Sequence, residues 1–431
     1  MAPGFIPLLI CVDVEPDGRS HPEAKDGWRG VGPTSVLLEQ FRKRFAAATG
    51  VAAKLNWFVR ADPMIESVYG RPDYAIENHS ETFARARSAG DSIGVHVHPY
   101  RRESGEWVQA FGDPEWVAVC VRSSIAAARR SFGSCDTFRF GDHWMGDSAI
   151  SLVESLGVRF DLTLEPGRIG TIGPPGEKHT GEFPDTRLVP RVPYHPSRRD
   201  YRRPGRVLPR RITLFPVSTG EGIRRKNRLM PDDGSEGEIR FEPDPLPLDG
   251  KGLGACRVLW KSSCDAIDLR VDSPDGPLFC GGGARGEAAT GAWVRYGTRF
   301  YLRSSVDGRT LAAKTVRSCT HDGRILNEAN AFPLYARQGE ACPLDLSMPP
   351  EGFASVLDEC LERADVRHVQ AVVRTDAGAN EERARNMRDN LDLLVERAAT
   401  VPLRAVTPHE THVMTERKTV SRLQPRRLVM Q

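Results

Sequence analysis

The first regular feature of the chain is an unbroken apolar run, FIPLLICV, which leads straight into Asp13 and Glu15. A half-buried strand would alternate apolar and polar residues, so a continuous run reads as a strand covered on both faces. Val36, Leu37, Leu38, Phe41 and Phe45 then recur at helical spacing, with Thr34 or Ser35 placed to cap the helix. KLNWFV predicts a second strand, residues 81–89 a helix, IGVHVH a third strand and residues 117–132 another helix. TFRF, a helix from Asp147 to Leu156 stopped by Gly157, and the strand RFDLTLE extend the series. Strand and helix in alternation imply a parallel sheet covered by helices, either open or closed into a barrel. In both layouts ligands bind at the carboxyl ends of the strands.

From Ala255 to Val316 the pattern changes. The short β-rich runs CRVLW, IDLRV, GAWVRY, TRFYLRS and TLAAKTV, divided by Gly, Asp and Ser turns, predict a small β-sandwich. Residues 351–363 and 379–398 then return to helical spacing around the strand HVQAVV. The expected organisation is an α/β domain over 1–240 and 345–415, a sandwich inserted at 250–320, and a basic tail at 416–431. A chain of 431 residues exceeds what one core usually organises, which agrees with two domains.

Charge narrows the partners. The 60 Lys+Arg against 57 Asp+Glu leave a net charge of +3, too small for nucleic-acid binding driven by the overall field. Basic character is local, in HPSRRDYRRPGRVLPRR, which carries Arg198, Arg199, Arg202, Arg203, Arg206, Arg210 and Arg211. This stretch reads either as a solvated loop or as a clamp for an anionic substrate. The 9 Cys are odd in number and form no CxxC pair, so neither a disulfide framework nor a structural zinc site is expected. The opening apolar run has no basic leader and no small-residue cleavage site, so the expected location is the cytoplasm, without membrane insertion.

Three motifs carry chemistry. Asp13 and Glu15 lie two apart at a strand end, so both carboxylates point to one side. Such a pair can divide metal ligation and general-base work, although acidic residues after a strand also cap turns. In GVHVHPY, His96 and His98 alternate on a strand and share a face, and with one carboxylate they form a two-His, one-carboxylate set with open positions for water and substrate. In FRFGDHWMGD, Arg139, Asp142 and His143 follow a strand, and Arg139 can orient a carboxylate bidentately or form a plain ion pair. Asp161 and Asp376 stand where further strands would end, with the same two readings.

The order of these motifs resembles the NodB-type polysaccharide deacetylase family. The likeness runs through the acidic first strand, a WF-containing second strand with ADPMIESVYG, GVHVHPY, RFGDHWM and DLTLEPG, over about residues 5–220, and returns in NLDLL and VPLRAVTPHE over 350–412. It implies a distorted (β/α) barrel of about seven strands and a hydrolase that removes an acetyl group with a divalent ion held by one carboxylate and two His. The family has two adjacent Asp where this chain has Val14 after Asp13. The resemblance gives Asp13 the base role and Glu15, His96 and His98 the ligand roles, with exchange between Asp13 and Glu15 open. It makes Arg139 the residue that orients the base. The family's late His, a general acid, has candidates in His143, His195, His179 and His368, with His143 first. Substrate contacts are expected from Asp142, Trp144, Tyr194 and Arg198.

The sandwich resembles an immunoglobulin-like domain through Trp260, Gly281, Thr290, Gly291, Trp293, Val294 and Phe300, as a spacer or a glycan-binding module. The function expected is metal-dependent deacetylation of an N-acetylated or O-acetylated sugar or sugar conjugate. Zinc is the first choice of ion, with cobalt, nickel or manganese as alternatives. The rival readings are hydrolysis of another small-molecule C–N bond, or an inactive carbohydrate-binding protein on the same fold.

Overall fold

The structure, a computed structural model, describes residues 4–18, 27–168, 170, 178–327, 341–363 and 366–414. The basic tail expected at 416–431 lies outside the described residues. Two units are formed. One comprises Met1–Pro166, Gly170–Thr219 and Pro343–Gln431, the other Gly167–Ile169 and Gly220–Cys342.

The first unit is built on one parallel sheet. Its strands lie in the order Val369–Arg374, Ile6–Val14, Asn56–Arg60, Ser92–Val97, Thr137–Phe140, Phe160–Asp161 and Thr213–Leu214, and Leu403–Ala405 pairs beside Ile6–Leu8. The sheet curls until the chain just beyond its last strand reaches the opposite edge: Ser218 N–H donates to Gln370 O at 3.1 Å, and Gln370 N–H to Ser218 Oγ at 2.9 Å. The enclosed space is filled by Leu9, Cys11, Phe58, Phe160, Leu162, Phe215, Val217, Val372 and Val406. The alternate residues Val95, Val97, Phe138 and Phe140 pack outward against Val117, Val121, Ile125, Ile150 and Val153 of two covering helices, Pro114–Phe132 and Asp147–Ser155. Because Ile6–Val14 is covered on both faces, it reads as an almost continuous apolar run.

Register sets the inner rows. Arg374, Asp13 and Phe58 are aligned across three strands, as are Arg60, His96 and Arg139. Side chains in register on parallel neighbours share a face, so polar groups at the strands' carboxyl ends collect at one mouth of the barrel.

Two local expectations change. Thr34 and Ser35 lie inside the helix Val31–Thr49 rather than capping it, and Thr34 Oγ1 donates to Thr375 O at 3.2 Å. The helix starts earlier because Gly30 lies against Thr375, whose carbonyl oxygen would sit 2.0 Å from a Cβ there. RFDLTLE keeps strand form only over Phe160–Asp161. The Asp161 carboxyl group accepts from Thr163 N–H and Thr163 Oγ1, both at 2.9 Å, and this local turn draws the chain out of the ladder.

The second unit holds two antiparallel sheets. Gly237–Glu242, Arg257–Ser262 and Arg285–Ala289 form one; Leu278–Gly282, Ile267–Val271, Arg299–Ser304 and Thr310–Thr315 form the other. Ile239, Phe241, Val258, Trp260, Leu269, Phe300 and Leu302 belong to its apolar core. No described helix is long and apolar enough to cross a membrane.

Candidate metal centre

The Glu15, His96 and His98 side chains meet at the mouth of the barrel, all buried. Glu15 follows the first strand, and its backbone is fixed by Thr375, whose Oγ1 accepts from Glu15 N at 3.0 Å and donates to Glu15 O at 3.1 Å. His96 Nε2 stands 2.9 Å from Glu15 Oε1 and 3.0 Å from His98 Nε2, and the third edge, His98 Nε2 to Glu15 Oε1, is 3.5 Å.

Two imidazole nitrogens and a carboxylate oxygen therefore turn toward one point. Bonds of about 2.0–2.1 Å to a tetrahedral ion place ligand atoms roughly 3.3 Å apart, close to the three edges observed. The donor set fits a divalent transition ion with positions left for other ligands. Electrostatics couples the three groups. Burial opposes ionisation of Glu15, yet the two imidazoles hold its carboxyl well below the usual range. Burial also opposes charge on His98, yet Asp142 and Glu15 push it up to about 9.

Surrounding groups orient the three side chains. His98 Nδ1 lies 3.3 Å from Asp142 Oδ2, which accepts from Gln109 Nε2 at 2.9 Å. Tyr100 stacks on the His98 ring with centroids 5.6 Å apart, and the Arg60 guanidinium lies over Tyr100. Arg60 is fully buried and is paired with Asp62 at 2.9 Å. Carboxylate support behind a ligating His fixes its tautomer and orientation. Gly141 makes the approach possible, since a Cβ there would stand 2.0 Å from His98 Cε1. Asp142 and His143 follow with φ of 51° and 52°, two successive left-handed residues without glycine, a conformation that stores strain.

Asp13 stands apart from the triad. Its Oδ2 accepts from Arg139 Nε at 3.0 Å, while Oδ1 lies 3.8 Å from His96 Nδ1, is buried and has no hydrogen bond among the described residues. Arg139 also donates to Leu162 O. His143 is buried with Nδ1 3.8 Å from Glu165 Oε2.

The other expected residues lie elsewhere in their surroundings. Trp144 is stacked on Phe111 with Nε1 donating to Glu182 O at 3.2 Å, and Tyr194 donates to Tyr201 O at 2.8 Å; both are enclosed in the apolar cluster outside the sheet. Arg198 is exposed on its loop. Of the other His candidates, His368 bonds Pro216 O at 2.8 Å, His195 bonds Ile212 O at 3.2 Å, and His179 packs edge-on against Phe183. Sequence reasoning passed over Thr375, Arg60, Tyr100, Gln109 and Glu165. Tyr100 lay within the His motif, and Arg60 ended a strand beside it; Thr375, Gln109 and Glu165 gave no signal short of the fold.

No family model matches the chain, and no curated protein sequence does. Among solved structures it is similar to one from Mycobacterium smegmatis named as a polysaccharide deacetylase, 13% identical, covering 99% of this chain and 95% of that one with a TM-score of 0.40. It is also similar to one from Parabacteroides distasonis named as a glycoside hydrolase/deacetylase, 12% identical, covering 96% of this chain and 71% of that one with a TM-score of 0.45.

Proposed function

We propose that the protein is a metal-dependent hydrolase that removes the acetyl group from an N-acetylated or O-acetylated sugar or sugar conjugate. The observation that carries this reading is a buried Glu15, His96 and His98 donor triad beside a separate carboxylate, Asp13, held by Arg139. The order of motifs in the sequence, which resembles that of NodB-type deacetylases, supplies the acetyl group and the sugar.

When bound, a divalent ion supplies Lewis-acid activation of a carbonyl and of water. Glu15, His96 and His98 are the residues that would hold it. Arg139 fixes one oxygen of Asp13 and so presents the other to accept the proton that the attacking water loses. Asp142, braced by Gln109, orients His98. His143 delivers a proton to the departing nitrogen or oxygen. The set divides labour between two carboxylates: one ligates and the other takes a proton.

The test is purification with metal analysis, followed by acetate release from a panel of acetylated sugars, simple acetamides and ureides. Stoichiometric divalent metal with sugar-dependent acetate release supports the reading. Turnover of the small amides or ureides alone would move the assignment to another C–N hydrolase, and a metal-free protein that zinc or cobalt leaves inactive would make it a binding protein.

A further inference from the structure

The arginine-rich loop has an architecture that the catalytic reading does not use. Its base is bolted to the first unit's outer core: Tyr201 Oη donates to Met145 O at 2.9 Å, its N–H to Asp147 Oδ1 at 3.3 Å, and Tyr194 Oη donates to Tyr201 O at 2.8 Å. The arms are tied as well. Gly205 N–H donates to His195 O and Arg210 N–H to Pro196 O, each at 2.9 Å, and Pro196 bridges Pro204. Gly205 and Pro209 close the neck, since a Cβ on Gly205 would stand 2.7 Å from Pro209 Cα.

Above that neck stand Arg206, Val207 and Leu208. Val207 is 85% exposed and Leu208 78%, with Leu208 at a left-handed φ of 51°. Among the described large hydrophobic residues, Val306 alone is comparably exposed, and the remaining exposed ones lie at 60% or below. Charge surrounds the apex. Arg202 and Arg203 share Asp200, and Arg210 pairs with Glu154, but the exposed Arg198, Arg199, Arg206 and Arg211 have no ion pair among the described residues.

We propose that this loop is a docking surface for an anionic lipid bilayer, with Val207 and Leu208 entering the interface and the unpaired arginines resting on lipid phosphates. Charge complementarity favours this occupant: a basic collar attracts an anionic plane, and an apolar apex has a place to go in a bilayer that it lacks on a soluble polyanion. A tied stem keeps the apex outward before contact, so little ordering is left to the binding step. The inference is independent of the deacetylase reading, because its measurement contains no acetylated substrate.

The experiment is sedimentation of the full chain with phosphatidylcholine vesicles, with and without about a third phosphatidylglycerol, at low salt. Binding to the anionic vesicles and not to the neutral ones is expected. Val207→Ser/Leu208→Ser should weaken it about tenfold or more, and Arg199→Gln or Arg206→Gln about fivefold each, at unchanged thermal midpoints. Leu208→Trp should show a blue-shifted emission on the anionic vesicles. Absence of binding overturns the proposal. So does binding that the Val207 and Leu208 changes leave intact, because it would then be charge alone, from this loop or from the basic tail. Equal sensitivity of dextran sulfate binding to the apex changes would instead identify a polyanion surface.

Discussion

Arg139 donates from Nε to Oδ2 of Asp13 at 3.0 Å and at the same time donates to the carbonyl of Leu162, so one guanidinium joins the strand Ile6–Val14 to the chain just beyond the strand Phe160–Asp161. Both side chains are 5% exposed. Removing one member of such a pair leaves a buried charge uncompensated, at a cost of about 3–5 kcal/mol. Arg139→Met should therefore lower the unfolding free energy by that order in urea titration. Arg139→Met/Asp13→Asn should recover part of the loss. A cost below about 1 kcal/mol would mean that the pair is solvated rather than buried.

Asp13→Asn and Glu15→Gln separate the two carboxylates. With Asp13 as base, its amide should keep stoichiometric metal and slow acetate release by about 10² to 10⁴, the usual cost of losing a general base. Glu15→Gln should release metal on dialysis against a weak chelator. The opposite pattern exchanges the two roles.

Gly141→Ala tests the seat of His98. The added Cβ would collide with the imidazole at 2.0 Å from Cε1 and 2.1 Å from Nε2. The ring must move, and displacing a ligand costs about 10- to 100-fold in metal affinity. Competition with a fluorescent chelator reads this directly, and an unchanged affinity would show that His98 is not a ligand.

The contrast between the candidate ligands and the residues that support them shows what a sequence can carry. Asp13, Glu15, His96 and His98 were legible because each sits at the end of an apolar run, and period-2 spacing places alternate side chains on one face. The parallel sheet was legible for the same reason. Thr375 was not, because its tie to Glu15 crosses a separation of 360 residues and depends on which strand neighbours the first. Trp144 and Tyr194 look like substrate contacts in a motif and a polar loop, but only packing shows their polar atoms facing Glu182 and Tyr201 carbonyls. The helix that begins at Val31 rather than at Thr34 depends on contact between Gly30 and Thr375, equally invisible from local spacing.

Asp161 should make stability fall as pH rises. Burial pushes its carboxyl from 3.8 up to about 7, against the opposing pull of the Thr163 N–H and hydroxyl and of Arg139. Between those values the folded chain holds a proton that the unfolded chain has lost. This group's contribution is complete below about pH 4 and is lost on passing through 7, by on the order of 4 kcal/mol. His368 acts in the other direction: burial lowers it from 6.5 to about 4, so its contribution is lost as pH falls. The difference in unfolding free energy between Asp161→Asn and the parent isolates the first effect. That difference should move in favour of the variant from about pH 4 to about pH 8, and a flat profile would contradict the buried, protonated carboxyl.

His143 can be told from Asp13 by the group that leaves. An amine departs only with a proton, whereas an aryl oxide leaves without one, so a proton donor matters for an acetamide and little for an aryl acetate. The base that takes the proton from water matters for both. With His143 as donor, held 3.8 Å from Glu165, His143→Asn should lower kcat on an N-acetyl sugar by about 10² to 10³ and leave aryl acetate hydrolysis within a few-fold. Asp13→Asn should slow the two alike. Equal losses on both substrates in His143→Asn, accompanied by loss of metal, would place the effect in the strained turn that carries Asp142 to His98 rather than in proton delivery.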